Sequence, residues 1–591
     1  MLELHMSRFH VSHRFVGLSL ALVIAGCTVG AQSFAEPSTT VSTLAGPLLP
    51  KEPFQSEASY QLYNTLVAEM LIRQGKIKQA AQHYVLAVGQ SKDKALAKRA
   101  TETAIQAGEP VLAKAALDQW ASLEPDTVEV HQYRVLLNAQ LGNYDAAVDD
   151  AIWVRDYIQK KEGHGFEYVV SLLALDAGPA NAYEVIKRYA AKVENNPKIQ
   201  LVMATFALSA NKPEAVLEGT DQIQKTGDSA QKEEAARLRA KALLTLDRVP
   251  DAISTLEPYA KSTKNQELKL EYGRMLIMAD RREDARPIYK QLYAEQPENA
   301  DILYTLGLLH LEQEEFAFAE PLMKKLLEIP ERKYEANYFL AQIYEGQKRT
   351  DEALNAYDEA LNGDFARDAI GRKSALLHKE KGLDAAQAWL DSLLDKATMP
   401  EQKVTALMAK GQLLHDAGEY QKAIDTFNKA EEFGSKKRDI LYARSLSYDR
   451  MGNVVQAEKD LREVVKLDPK DADALNALGY MLVINTTRYQ DAADLIKQAL
   501  ELRPDSPAVM DSMGWVLFKK GDAKGAEDWL RKAYEQMPDP EIGAHLIEVL
   551  SVNGKAEEAR QLFKEMIAKY PEDKQLLDVK QRITELSEKT N

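Results

Sequence analysis

Seven histidines, His83, His131, His164, His310, His378, His415 and His545, are spread over the chain beyond its N-terminal segment, and its one cysteine, Cys27, lies ahead of all seven. Metal or nucleophilic chemistry needs such side chains at defined spacings, and none is present. There is no HExxH pair, no glycine-rich phosphate loop and no GxSxG elbow. A lone cysteine rules out Cys-based zinc sites and internal disulfides, so the fold must stand on packing. The histidines therefore read as surface or packing residues. Carboxylates are plentiful, 90 Asp and Glu against 75 Lys and Arg, but they fall on polar helix faces and turns as solvated charge. The net charge of −15 comes without any run of Lys and Arg, which points away from nucleic acid as a partner. No cofactor, metal or catalytic site is expected. The one place left for hidden enzymatic chemistry is the irregular stretch 151–228. What remains is recognition, and that depends on which elements carry the side chains.

At 591 residues, 45% of them apolar and 28% charged, the chain is too long for one core and too apolar to be disordered. Residues 472–538 show how it is built. Leu475, Leu478, Gly479 and Leu482 are followed by Ala492, Ile496, Ala499 and Pro504. Then come Met510, Met513, Gly514 and Leu517, followed by Gly521, Ala526, Leu530, Ala533 and Pro538. Apolar residues recur three and four apart, so each run predicts two amphipathic helices. Gly479, Gly514, Ala492 and Ala526 stand where the paired helices must approach closely, and each proline stands where the second helix stops.

This pattern resembles the tetratricopeptide repeat, a helix-turn-helix unit of 34 residues. Further copies run through the chain, such as Gly142-Asn143-Tyr144-Asp145-Ala146-Ala147 and the run from Gly411 to Ala430, with weaker ones near 151–228 and 364–400. Residues 61–573 are 513 positions, and about fifteen such units fill them. The resemblance implies an all-α fold, a right-handed α-solenoid of about 15 tetratricopeptide repeats over residues 57–573. Residues 574–591 form its C-terminal capping helix, with Leu576, Leu577, Val579 and Ile583 on one face.

The N-terminus reads as an export signal, with Arg8 and Arg14 before an apolar run from Phe15 to Ala25 that is too short to span a bilayer. Glu3 weakens the basic character ahead of Met6, which marks Met6 as a second candidate start. Ile24-Ala25-Gly26-Cys27 resembles a bacterial lipoprotein box, which implies a signal peptide over 1–26 and lipidation of Cys27. Thr28 rather than Asp follows, and in enteric lipoproteins that points to the outer membrane. Cleavage after Ser33-Phe34-Ala35, releasing a soluble chain from Glu36, is the alternative. Residues 27–56, with Pro37, Pro47, Pro50 and Pro53, read as a flexible tether.

In this repeat type the second, fifth, ninth, twelfth and thirteenth positions of the first helix face the concave surface. Those positions nominate Tyr304, Tyr338, Tyr442, Arg450, Asn476, Tyr480, Asp511, Trp515, Phe518 and Lys519 as a partner-binding face. Aromatics flanked by mixed charge suit a protein or peptide; the alternative is that Trp515 and Phe518 simply pack between helices. The Lys-then-Asn pairing of chaperone-tail clamps is absent. The lipobox, the long array and the runs Asn476-Ala477-Leu478-Gly479-Tyr480 and Asp511-Ser512-Met513-Gly514-Trp515 together resemble the outer-membrane tetratricopeptide lipoproteins of Gram-negative bacteria. Within that group they resemble the adaptors of the periplasmic carboxyl-terminal processing protease. The resemblance implies a non-enzymatic scaffold at the outer membrane, facing the periplasm. It would bind that protease and present peptidoglycan hydrolases to it, so regulating cell-wall turnover. A scaffold for polysaccharide secretion or outer-membrane assembly is the other reading.

Overall fold

In most repeats the first helix reverses into the second at one left-handed residue, though none stands between Asn485 and Tyr489. Gly75, Gly108, Gly142, Gly418, Gly452, Gly521 and Gly554 take φ between +67° and +94° at this point. Asn211, Asp247, Asp280, Glu314 and Lys348 hold the same left-handed conformation without being glycine, at φ between +54° and +60°. The next amide then bonds back to the first helix, as from Lys76 to the Leu71 carbonyl (2.9 Å) and from Arg349 to that of Tyr344 (2.8 Å). Five residues after the turn comes an alanine with no exposed surface, among them Ala80, Ala285, Ala353, Ala457 and Ala526.

The computed structural model describes residues 56–580 apart from Gln90, Glu194 and Asn195. The signal segment 1–26 with Ile24, Ala25 and Gly26, the lipidation site Cys27, and the tether up to residue 55 lie outside the described residues. So does the capping helix beyond residue 580. The described chain is all-α and divides into two units, one ending at Ala210 and one starting at Asn211.

The first unit holds α1 (Glu57–Arg73), α2 (Ile77–Val88), α3 (Lys94–Gln106), α4 (Pro110–Leu123), α5 (Val128–Gln140), α6 (Tyr144–Glu162), α7 (Gly165–Asp176), α8 (Pro179–Lys192) and α9 (Pro197–Ser209). Helices α1 to α6 form three hairpins, each packed on the next around Tyr84, Leu117 and Trp120. Regularity ends at α6, which runs 19 residues. Helix α8 packs on α6 and α9 and barely touches α7, its neighbour in sequence. The irregular sequence at 151–228 therefore has a structural counterpart: helices form, but α7 and α8 do not make a hairpin.

The second unit holds α10 (Pro213–Thr226), α11 (Ser229–Thr245), α12 (Val249–Ala260), α13 (Gln266–Met278), α14 (Arg282–Glu295), α15 (Ala300–Leu311), α16 (Phe316–Leu327), α17 (Lys333–Gly346), α18 (Thr350–Glu359), α19 (Ala366–Lys381) and α20 (Leu383–Lys396). It continues with α21 (Pro400–Asp416), α22 (Tyr420–Glu431), α23 (Lys437–Arg450), α24 (Val454–Leu467), α25 (Ala472–Asn485), α26 (Tyr489–Leu502), α27 (Pro507–Lys519), α28 (Ala523–Gln536), α29 (Pro540–Val552) and α30 (Ala556–Lys569). From α11 onward these are ten hairpins, each packed on the one before. The thirty α-helices among the described residues give thirteen such hairpins, α1 to α6 and α11 to α30, against the expected fifteen or so units, because α7 and α8 do not pair.

Glycine on the first helix lets the second come close. A Cβ on Gly479 would stand 2.5 Å from Ile496 Cγ1, and one on Gly514 would stand 2.6 Å from Leu530 Cγ. Residues 574–580 are helical, and Leu576 and Val579 are fully buried against the last hairpins. Leu577 is the exception to the expected apolar face. It is 45% exposed, because consecutive helical residues point about 100° apart.

Candidate protein-binding groove

Helices α23, α25, α27 and α29, the first helices of four successive hairpins, line a groove of about 650 Å³. Their apolar faces, such as Leu475, Leu478 and Leu482 on α25, are buried against neighbouring helices. The other face of the same helix is then left to the groove, and on α25 it carries Asn476 and Tyr480. Helices α25 and α29 are capped at their starts. The Asp471 side chain accepts from the Ala474 amide at 3.0 Å, and the Asp539 side chain accepts from that of Glu541 at 2.9 Å.

The floor is a stack of rings. Trp515, only 3% exposed, lies on the His545 ring with centroids 3.9 Å apart and planes 17° from parallel. Phe518 also stacks on Trp515, at 5.3 Å, and Lys519 Nζ sits 4.3 Å from the Trp515 ring centroid. His545 Nδ1 bonds to Asp511 Oδ1 and Oδ2 at 2.9 and 3.1 Å, tying α29 to α27. The Tyr480 hydroxyl donates to Glu541, tying α25 to α29.

The electrostatics are lopsided. Asp449, Asp473, Asp511, Asp539 and Glu541 line the groove, and Arg450 is the one Lys or Arg among the lining residues. Burial pushes the Asp511 carboxyl up, His545 pulls it back, and Glu541 and Asp539 push it up again. Burial also raises Asp449, against the amide of Asn485 and the charge of Arg450. Burial and the carboxylate of Glu541 keep the Tyr480 hydroxyl protonated far above its usual range. Burial lowers His415 at the groove's edge, so its imidazole favours the neutral form.

The structure brings Tyr442, Arg450, Asn476, Tyr480, Asp511 and Trp515 together in this groove. Phe518 and Lys519 brace the Trp515 ring without lining the groove. Tyr304 and Tyr338 are elsewhere, in an aromatic cluster with Phe339 and Phe365. Tyr338 is 8% exposed and stacks on Phe365 at 4.7 Å, so it is a packing residue and not an open contact surface. Tyr304 sits edge-on to Phe339 at 5.6 Å under the Arg332 guanidinium. Trp515 is itself buried, its ring forming the floor, in line with the packing alternative. Position within the repeat does not single out Glu541, while His545, not nominated, holds in the next first helix the position that Asp511 holds in its own; both are built into the site. His545 stands 34 residues after Asp511, one repeat length, and that spacing is the signal the sequence offers for it.

Among the described residues no group of three or more His, Cys, Asp or Glu could hold a metal ion, and no helix is long and apolar enough to cross a membrane. Residues 294–570, which include all four groove helices, match the family model described as tetratricopeptide repeat. Over that stretch the chain is similar to the tetratricopeptide-repeat family. Its similarity to the repeat-containing protein PA4667 of Pseudomonas aeruginosa is 27% identity over 540 residues, covering 90% of this chain and 89% of that one. The repeat-containing protein MJ1428 of Methanocaldococcus jannaschii is 21% identical over 338 residues, covering 52% of this chain and 59% of that one. Among solved structures, yeast Tom70 aligns with 80% of this chain and 97% of its own at 14% identity and a TM-score of 0.33. The Cut9 complex of the APC/C aligns with 89% and 97% at 17% identity and a TM-score of 0.32. An array of such repeats is a protein-interaction scaffold.

Proposed function

We propose that this chain is a tetratricopeptide-repeat protein and a non-catalytic adaptor of the bacterial envelope. The groove of α23, α25, α27 and α29 is where it holds a protein partner. The observation that carries this reading is the groove itself: four helices contribute, its floor is fixed by cross-helix bonds, and its lining mixes aromatic and charged groups. Cys27 carries the lipid that anchors the chain to the outer membrane on its periplasmic side, because two or more acyl chains hold a protein stably where one does not. The partner is a carboxyl-terminal processing protease, and the long array presents peptidoglycan hydrolases to it. Holding both on one scaffold raises their effective concentration without requiring new chemistry.

Affinity capture of the tagged full-length protein from its own envelope, with identification of what co-purifies, tests this. Recovery of a processing protease together with cell-wall hydrolases supports the adaptor reading. Recovery of polysaccharide-secretion or outer-membrane assembly components would keep the scaffold and overturn the pathway. A Cys27→Ala variant is expected to leave the membrane fraction, and retention there would overturn the anchor.

A further inference from the structure

Two polar atoms in the groove are buried without a hydrogen-bond partner, and they are of opposite kind. Trp515, a groove-lining residue 3% exposed, has a buried indole Nε1 without a partner, a donor that can do nothing but donate. Asn476, on the adjacent groove helix, has Oδ1, an acceptor, equally unmatched. Leaving such groups unmade is costly, and most buried polar groups in folded proteins are satisfied. Among the lining residues only these two hold a buried polar side-chain atom without a partner, whereas Asp511 bonds to His545, Tyr480 to Glu541 and Asp449 to Asn485. The open valences are therefore specific to these two positions. One donor and one acceptor on neighbouring helices are the complement of a peptide group, whose carbonyl accepts and whose amide donates.

The groove's charge selects among peptides. Five carboxylates face one arginine among its lining residues, and the pairing of Asp511 with His545 leaves Glu541 and Asp539 pressing on it. A cationic side chain entering here relieves that repulsion, while an acidic one adds to it. We infer that the groove takes an extended segment of the partner whose main chain bonds to Trp515 Nε1 and Asn476 Oδ1 and whose Lys or Arg side chain reaches the carboxylates of Asp449 and Glu541. This rests on the groove being the partner site proposed above and adds the chemistry of what fills it.

The test uses the full-length protein and two immobilised libraries of capped heptapeptides, randomised at the flanks, with Arg fixed at the centre of one and Glu at the centre of the other. The Arg-centred library is expected to bind at least tenfold more strongly, with an advantage that shrinks as salt is raised. Trp515→Phe, which keeps the ring and removes the N–H, and Asn476→Leu are each expected to weaken binding about fivefold to tenfold, the size of one hydrogen bond. Thermal melting and circular dichroism confirm that both variants are folded. Where a variant is not, Glu541→Gln replaces it, with the Arg preference expected to fall. Equal binding of the two libraries, or a preference for Glu, overturns the inference. The same variants in affinity capture separate the two claims. Loss of the natural partner without any Arg preference would sink the peptide chemistry and keep the groove. Unchanged capture by Trp515→Phe, Asn476→Leu and Glu541→Gln alike would sink the groove itself.

Discussion

Asp511 and His545 show what a single pair decides. Asp511 is 5% exposed, and burial would leave its carboxylate without solvation were His545 not bonded to it. Its carboxyl is raised in the folded state, so its contribution to stability is fullest below its ordinary value of 3.8 and is lost as the pH rises through the shifted one. His545→Ala should therefore cost about 3 kcal/mol at neutral pH, where a charged carboxylate is stranded, and much less in acid, where Asp511 is protonated. Denaturation of the variant and the parent across pH 4–8 checks this, and a cost independent of pH would refute it. A different residue-scale strain sits at Lys348, held at φ +60° where seven of its counterparts are glycine. Lys348→Gly is expected to raise stability by about 0.5 kcal/mol, the released left-handed strain being partly offset by the freer unfolded chain. A lower melting temperature would contradict it. At this scale the sequence is half readable. Position within the repeat puts Tyr442, Asn476, Asp511 and Trp515 on the groove helices. It does not show that Tyr338 is closed over by Phe365, or that two polar atoms are left open, because those depend on packing between repeats.

Among the elements, the hairpin is the unit of stability, and close approach is its requirement. Gly514→Val would drive a side chain into Leu530 and the Ala526 carbonyl, which stands 3.1 Å from the position of a Cβ. The expected cost is about 3 kcal/mol, and hydrogen exchange should speed up first in α27 and α28. Charge joins hairpins where apolar contact ends. Glu527 on α28 accepts from Lys555 (2.6 Å), Arg531 (2.8 Å) and Asn553 (2.9 Å). Burial works to raise its carboxyl, but these three outweigh burial and hold it down to about 2. A depressed carboxyl contributes stability above its ordinary value of 4.5 that is lost as the pH falls towards 2. Glu527→Gln should thus cost about 2–3 kcal/mol at pH 7 and almost nothing near pH 2. A cost that persists in acid would show packing, not charge, at work. Most of this element structure is legible in the spacing, since an alanine five residues after the turn marks most of the second helices. Cross-repeat ties such as Arg444 to Glu431 and Asn428 are not, because their partners lie in the preceding hairpin.

Across the whole molecule, the regular and irregular stretches should differ in how readily they open. In a linear array each hairpin is stabilised chiefly by its neighbours. Helix α7 lacks a close hairpin partner, and the same stretch is where the repeat spacing weakens, at 151–228. Amides of residues 165–192 are expected to exchange faster than those of residues 404–569, and equal protection would contradict this. The groove lies in the well-packed stretch, where a rigid surface can be held for a partner. Site-specific photo-cross-linking in the native envelope tests the central claim most directly. A photoreactive residue at Ile484, groove-lining and 50% exposed, is compared with one at Val455, which is 75% exposed and outside the groove. The account predicts a covalent adduct to one protein partner from position 484 and none from 455, whereas an adduct from 455 with none from 484 would contradict it.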